Sequence, residues 1–341
     1  MKKEYYLGID LLKILSMLMI CILHILGQGG ILENTIFLSP QYNVSWLLEI
    51  FAYCAVNCFA LVSGYLNFSV KHNYKKFLNL WLSVLFYNII IINIFSFYKG
   101  VNFTYLLLSM LPLLFNEYWY LSCYFFIFLF IPLLNAGTNN VSRKYLKNVI
   151  ICCLGIVSIS SIVFKICKID AFTLNRGYSV IWLIILYLIG VYIKKYKPFN
   201  TINKNIFLIT FFVVNTFSYV VKMTIEQIYF NKGIIVDGGI FVEYTSICVI
   251  ISSISLFLFF ERINYKKIAF VSTLSKHSFF VYIIHCNPII WEFVLCDMFK
   301  FCSNYSSLSI VAIVILSALF IYCVCIILDM VKTQILRIFS M

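Results

Sequence analysis

The chain has 341 residues, of which 63% are hydrophobic and 11% charged, with a net charge of +13. Its mean hydropathy is +0.98, more apolar surface than a water-soluble fold can bury, so a soluble globular protein is excluded and a polytopic membrane protein is indicated. The basic excess falls on loops, where it suits anionic headgroups, and no nucleic-acid partner is needed to account for it.

Apolar stretches long enough to cross a ~30 Å hydrocarbon core are predicted at 9–27, 46–68, 77–98, 117–135, 147–165, 178–193, 205–222, 240–260, 278–299 and 308–330. The expected fold class is therefore all-α, one transmembrane domain over residues 1–341 with about ten spanning helices. The stretch 103–115 is too short to span and reads as re-entrant or interfacial. The first segment carries Asp10, Lys13 and His24 and has no small-residue cleavage site, so it is expected to stay as a helix and not to be removed as a signal peptide. With the N-terminus inside, eighteen Lys and Arg fall on inner segments and seven on outer ones. That asymmetry places both termini in the cytoplasm.

Ionisable residues inside apolar segments come next, because charge in a bilayer is costly and normally faces the protein interior or a wet cavity. Lys13 and His24 are eleven residues apart in the first segment. At 100° and 1.5 Å per residue they point within about 20° of each other and sit roughly 16 Å apart. Lys13 is shallow enough to snorkel to the headgroups. Alternatively, it is the cation that meets a phosphate-bearing ligand, with His24 as general base at the far end of an extended molecule. The pantetheine arm of coenzyme A is on the order of that length. Asp10 can pair with Lys13 one turn away, and Asn57 and Ser63 can bridge helices by hydrogen bonds.

Glu49 and Glu117 lie near the outer interface, where an ionised end is cheap. Trp119 and Tyr120, with Tyr118, begin a helix on the outer side, either as an interfacial aromatic belt or as ring faces for a sugar. Glu243, His285, Asn287 and Glu292 complete the polar inventory, His285 as a neutral packed imidazole or a second catalytic group. His72 and His277, among basic residues, read as surface positions. The thirteen cysteines are scattered without a CxxC, and Cys54 and Cys58 lack His or carboxylate neighbours in sequence, so they read as small hydrophobes and no metal site is expected. A phosphate-binding glycine loop, a GxSxG elbow and a proton-relay series of acids are absent from the sequence.

The stretch GIDLLKILSMLMICILH resembles the opening of the membrane-bound acyltransferase-3 family, whose first helix carries a basic residue, ten others and then a histidine; Lys13 and His24 match it. In order along the chain, AVNCFALVSGYLNF (55–68), KKFLNLWLSVLFY (75–87), YWYLSCYFFIFLFIPLLN (118–135) and SFFVYIIH (278–285) resemble further family segments. The resemblance implies an integral O-acyltransferase that takes an acyl group, usually acetyl, from cytoplasmic acyl-CoA to a sugar hydroxyl of a cell-surface polysaccharide or its lipid-linked precursor. It implies a multi-pass protein of the bacterial cytoplasmic membrane, with acyl-CoA as co-substrate and no bound cofactor.

By motif, Lys13 and His24 inherit the donor and catalytic roles. Lys75, Lys76 and Ser63 are the further donor-side candidates, and Glu117, Trp119, Tyr120 and His285 the acceptor-side ones. Where many relatives carry arginines after the Ser-Gly-Tyr motif, this chain has Lys71, Lys75 and Lys76, which meet phosphate as point charges without a bidentate fork. Some relatives carry a fused extracytoplasmic hydrolase-like domain. This chain ends eleven residues after the tenth segment, so transfer is expected to finish in the membrane domain or with a separate partner. Two rivals from other classes are a lipid-linked-sugar flippase, which needs a continuous wet path, and a glycan polymerase, which usually presents long outer loops.

Overall fold

The computed structural model describes residues 5–68, 70, 72–99, 107, 110–113 and 118–339. Among the described residues, eleven long helices form the body: α1 Leu7–Leu26, α2 Pro40–Ala52, α3 Ala55–Asn67, α4 Tyr74–Lys99, α5 Trp119–Asn140, α6 Arg143–Cys167, α7 Val180–Tyr196, α8 Lys204–Phe230, α9 Ile247–Glu261, α10 Ala269–His285 and α11 Ser307–Phe339. Several starts are set by local chemistry: the Ser39, Ser142 and Ser179 hydroxyls accept from the backbone N–H groups of Tyr42, Tyr145 and Trp182, each satisfying a donor that the first turn leaves free.

The protein is all-helical and polytopic. Among the described residues, seven helices are long and apolar enough to cross a membrane, or eight when a helix pair bent by 60° counts as one span. Each of the ten predicted segments holds a helix, with some boundaries moved. The segment 46–68 is α2 and α3, which together make one 28-residue span starting at Pro40. α7 and α9 are shorter, at 17 and 15 residues. The segment 240–260 becomes helical only at Ile247, which leaves Glu243 in the preceding loop. The stretch 103–115 and Glu117 lie largely or wholly outside the described residues, as does Lys71.

α1 is the central helix, packed against α2, α3, α9, α10 and α11. Two hydrogen-bonded pairs, Asp10 with Ser275 and His24 with His285, show α1 and α10 running parallel. Close approach in a membrane depends on small residues at the contact, and α3 and α7 cross at two of them. A Cβ on Gly64 would stand 2.0 Å from the Tyr187 carbonyl oxygen, and one on Gly190 would stand 2.2 Å from that of Leu61. At the same contact Asn57 donates to the Tyr244 carbonyl and accepts from the Trp182 indole, a bridging role of the kind its position suggested.

The bend after α10 has an identifiable cause. Pro288 cannot supply an N–H to a continuing helix, and Asn287 restarts the chain by accepting from Ile289 N while its amide donates to Asn88 Oδ1 and the Tyr118 hydroxyl. The segment 288–304 therefore folds back over the end of α1, where Asp297 N and Phe299 N donate to the carbonyls of Gln28 and Gly29.

The loop between α8 and α9 is held by ions. Lys222 pairs with Glu226 and, at 3.2 Å, with Asp237; its ammonium lies 3.7 Å from the centre of the Trp46 ring. Lys165 joins Asp237 at 2.7 Å and Glu243 at 3.4 Å, and Arg176 closes on Glu243 at 2.9 Å. Lys222 and Glu226 are buried, and the loop they anchor carries Tyr244 inward.

Candidate active site

His24 sits in the last turn of α1, and His285 ends α10 beside it. Because the two helices are parallel, the rings meet: His24 Nδ1 lies 2.9 Å from His285 Nε2. The other nitrogen of His285, Nδ1, is 2.5 Å from the Val281 carbonyl oxygen. A carbonyl can only accept, so His285 Nδ1 bears the proton and its Nε2 is the acceptor. His24 must then donate from Nδ1, which leaves the lone pair on its Nε2. No hydrogen bond to His24 Nε2 occurs among the described residues. The Trp291 ring, brought over by the bend after α10, meets the His24 ring edge-on at 4.7 Å and limits its rotation.

His24 lines a cavity of about 620 Å³, within the ~300–1,000 Å³ usual for small-molecule sites. Cys286 and Trp291 lie at the same end. A group of packed rings forms another part of the wall: Trp119 lies 4.5 Å from Tyr178, Tyr178 5.1 Å from Tyr244, and Tyr244 4.8 Å from Tyr53. Tyr120, Glu49, Glu292 and Gln28 also line the cavity. Tyr118 is instead built into the core, its one hydroxyl proton within reach of Asn88 Oδ1 at 2.8 Å and the Ile283 carbonyl oxygen at 3.1 Å.

Of the residues singled out in sequence, His24, Glu49, Trp119, Tyr120 and Glu292 line the cavity, and His285 bonds to His24 from behind. The other described candidates stand elsewhere. Lys13 is half-buried and bonded to Asp10 at 3.3 Å. Asp10 also accepts from the Ser275 hydroxyl at 2.6 Å. Lys75 and Lys76 are exposed at the start of α4, and Ser63 accepts from Asn67 within its own helix.

Three expectations need correcting. Glu49, expected at a solvated end, is 9% exposed, and its Oε2 has no hydrogen-bond partner among the described residues. His277, expected on the surface, is mostly buried against Asp329 at 2.5 Å, where Lys332 and Tyr87 also converge. His72 packs its ring on Tyr74 and Phe128, each at 4.4 Å. Asp329 against His277 and Phe128 against His72 are remote in sequence, and composition alone does not reveal them.

His24, His285 and Cys286 also offer three possible metal-ligand atoms within 4.8 Å of one another. The expectation of no metal came from spacing along the chain, and the fold brings these three together from two helices. Two imidazoles and a thiol suit an ion such as zinc. In the arrangement described, however, one proton lies between His24 Nδ1 and His285 Nε2, so a lone pair that a metal would need is already engaged.

Chemically, the site is a histidine whose tautomer is fixed by a second histidine and a backbone carbonyl, opening on an aromatic, hydroxyl-rich and acidic cavity. No curated protein and no solved structure matches the chain. Residues 6–330 match the family described as "Acyltransferase domain". With nearly the whole length covered, the chain belongs to the acyltransferase 3 family of membrane acyltransferases.

Proposed function

We propose that the protein is an O-acyltransferase that moves an acyl group, acetyl by preference, from cytoplasmic acyl-CoA to a sugar hydroxyl of a cell-surface polysaccharide or its lipid-linked precursor. In this reading it spans the bacterial cytoplasmic membrane ten times with both termini inside. The single observation that supports it most is the chain of bonds from the Val281 carbonyl through His285 to His24. Esterification of a hydroxyl needs a base, and this chain leaves a lone pair on a ring that borders a cavity.

In the proposed reaction, His24 Nε2 takes the proton of the acceptor hydroxyl as its oxygen attacks the thioester carbonyl. The C–S bond then breaks, the acyl group stays on the sugar oxygen, and the CoA thiolate leaves with the proton returned from His24. As His24 becomes an imidazolium, Nδ1 keeps its bond to His285, so the charged form is held without reorganisation. Lys13, about eleven residues or roughly 16 Å along the helix from His24, is the proposed cation for the CoA phosphates. Asp10 holds it at the inner end of α1. Lys75 and Lys76, exposed at the inner start of α4 in this topology, would add charge at the same mouth. Trp119 and Tyr120 offer ring faces to the sugar.

Membranes containing the protein, given radiolabelled acetyl-CoA, should transfer label to an envelope glycan in a base-labile ester. Label that stays in acetyl-CoA, with flipping of a lipid-linked sugar instead, would favour the transporter reading.

A further inference from the structure

Where the end of α10 meets the end of α1, three donor atoms from the two helix ends form a triangle. His24 Nδ1 lies 2.9 Å from His285 Nε2, and Cys286 Sγ lies 3.4 Å from each of them. Tetrahedral zinc, with Zn–N near 2.0–2.1 Å and Zn–S near 2.3 Å, sets two nitrogen ligands about 3.3–3.4 Å apart and a nitrogen and a sulfur about 3.5–3.6 Å apart. Both N–S edges are therefore within about 0.2 Å of the zinc spacing, and the N–N edge must open by about 0.4–0.5 Å, which small rotations of the two rings supply.

His285 is already arranged as a ligand. Its Nδ1–H donates to the Val281 carbonyl, so the Nε2 lone pair points into the triangle. An imidazole that ligates a metal ordinarily has its other N–H bound in this way, which fixes tautomer and orientation. His24 holds its proton on Nδ1 in the bond to His285, and a neutral ring can carry that proton on Nε2 instead. Cys286 ligates as the thiolate, releasing one proton. His24 and Cys286 line the cavity, so an ion reaches them from there, and a cavity water completes the tetrahedron of a three-ligand site.

Zinc and base catalysis make opposite demands on His24. An ion on Nδ1 keeps the ring's proton on Nε2, the atom whose lone pair is needed to accept the proton of the acceptor hydroxyl. We propose that His24, His285 and Cys286 form a zinc site whose occupation reversibly shuts off acyl transfer by holding His24 in the tautomer that cannot act as a base. The shut-off rests on the acyl-transfer reading above, whereas the binding site does not. Magnesium and calcium take oxygen ligands and are not expected here.

The purified full chain in detergent is titrated with cobalt(II), a spectroscopic substitute for zinc. The expected result is a thiolate-to-cobalt charge-transfer band in the near ultraviolet, bleached when zinc is added. Cys286→Ser and Cys286→Ala should each remove that band although the other cysteines remain. In liposomes with radiolabelled acetyl-CoA and the native glycan, micromolar free zinc should lower the rate at least about tenfold, a chelator should restore it, and magnesium should have no effect. In Cys286→Ser the metal-free rate should stay within about threefold, and the zinc needed for half-inhibition should rise at least about tenfold.

Absence of the thiolate band in the unaltered protein overturns the proposal. A band or a zinc inhibition that both Cys286 variants leave unchanged also overturns it, because the ion then binds elsewhere. Zinc that displaces cobalt and leaves transfer untouched overturns the shut-off. If no acetyl group is transferred even without metal, the acyl-transfer reading and the shut-off fall together, while the cobalt titration still decides the site.

Discussion

His285 is where the structure makes its most specific demand. The ring is 4% exposed, donates to the Val281 carbonyl and accepts from His24. Replacing it by alanine removes the acceptor that fixes the His24 tautomer and leaves His24 Nδ1–H only the weak Cys286 Sγ acceptor at 3.4 Å. A general base supplies about 10²–10⁴ in rate, and losing the group that orients it puts most of that factor at risk. The expected fall in kcat is therefore about 10² or more, which corresponds to roughly 2.7 kcal/mol at 1.36 kcal/mol per tenfold. The structural cost, one hydrogen bond and some packing, is about 1–3 kcal/mol and should leave the protein inserted.

Initial rates with radiolabelled acetyl-CoA, normalised to inserted protein and measured at varied donor and acceptor, separate the two effects. A positioning role lowers kcat and leaves both KM values within about threefold, since substrates do not touch His285. His285→Gln, whose amide oxygen can accept from His24 Nδ1–H, should recover at least tenfold over the alanine variant. Retention of more than a third of the unaltered kcat in His285→Ala would refute the reasoning, and so would equal activity of the alanine and glutamine variants.

Three other outcomes are expected. Lys222→Met should destabilise the protein by about 3–5 kcal/mol, because it leaves the buried Glu226 without its cation, and adding Glu226→Gln should recover part of that loss; thermal unfolding in detergent reads both. Burial pushes the Asp237 carboxyl up, but the Lys165 and Lys222 ammonium groups outweigh it and hold it below the usual carboxylate range. A depressed carboxylate contributes stability above its unfolded value of about 3.9 and loses it as pH falls toward the folded one. Protease nicking of the 231–246 loop should thus be constant from pH 7 to about 4.5 and rise below about 4, and a rise beginning near pH 6 would contradict the assignment. For the proposed topology, a cysteine at the exposed Asn34 should react with an impermeant reagent outside sealed cells, while tags on either terminus stay protected; a labelled terminal tag would overturn the arrangement.

Much of the fold is legible because its determinants are local. Length and apolarity mark the helical segments, and the eleven-residue spacing puts Lys13 and His24 on one face of the first. The bend at Asn287-Pro288 lies inside a run, 278–299, that reads as one span by hydropathy, since neither residue interrupts the apolar average. The partnership of His24 with His285 is a depth match between two parallel helices, and helix order along the chain does not say which helices touch. Glu49 is harder still: by position it reads as the end of a span, and it lines a cavity wall shared with Tyr178 and Tyr244, which come from much later in the chain. His277 fails for the same reason, its partner Asp329 lying on another helix. Lys13 is the opposite case, since the pairing with Asp10 is local and readable, while its distance from the cavity is not.

In the proposed reaction His24 supplies the base for acyl transfer. Purified protein in liposomes, radiolabelled acetyl-CoA and the native glycan acceptor test it most directly in the His24→Gln variant, because glutamine can hydrogen-bond a substrate but cannot accept its proton at neutral pH. The rate should fall at least about 10²-fold, with donor binding and insertion unchanged; near-normal turnover would return His24 to a structural or ligand-orienting role.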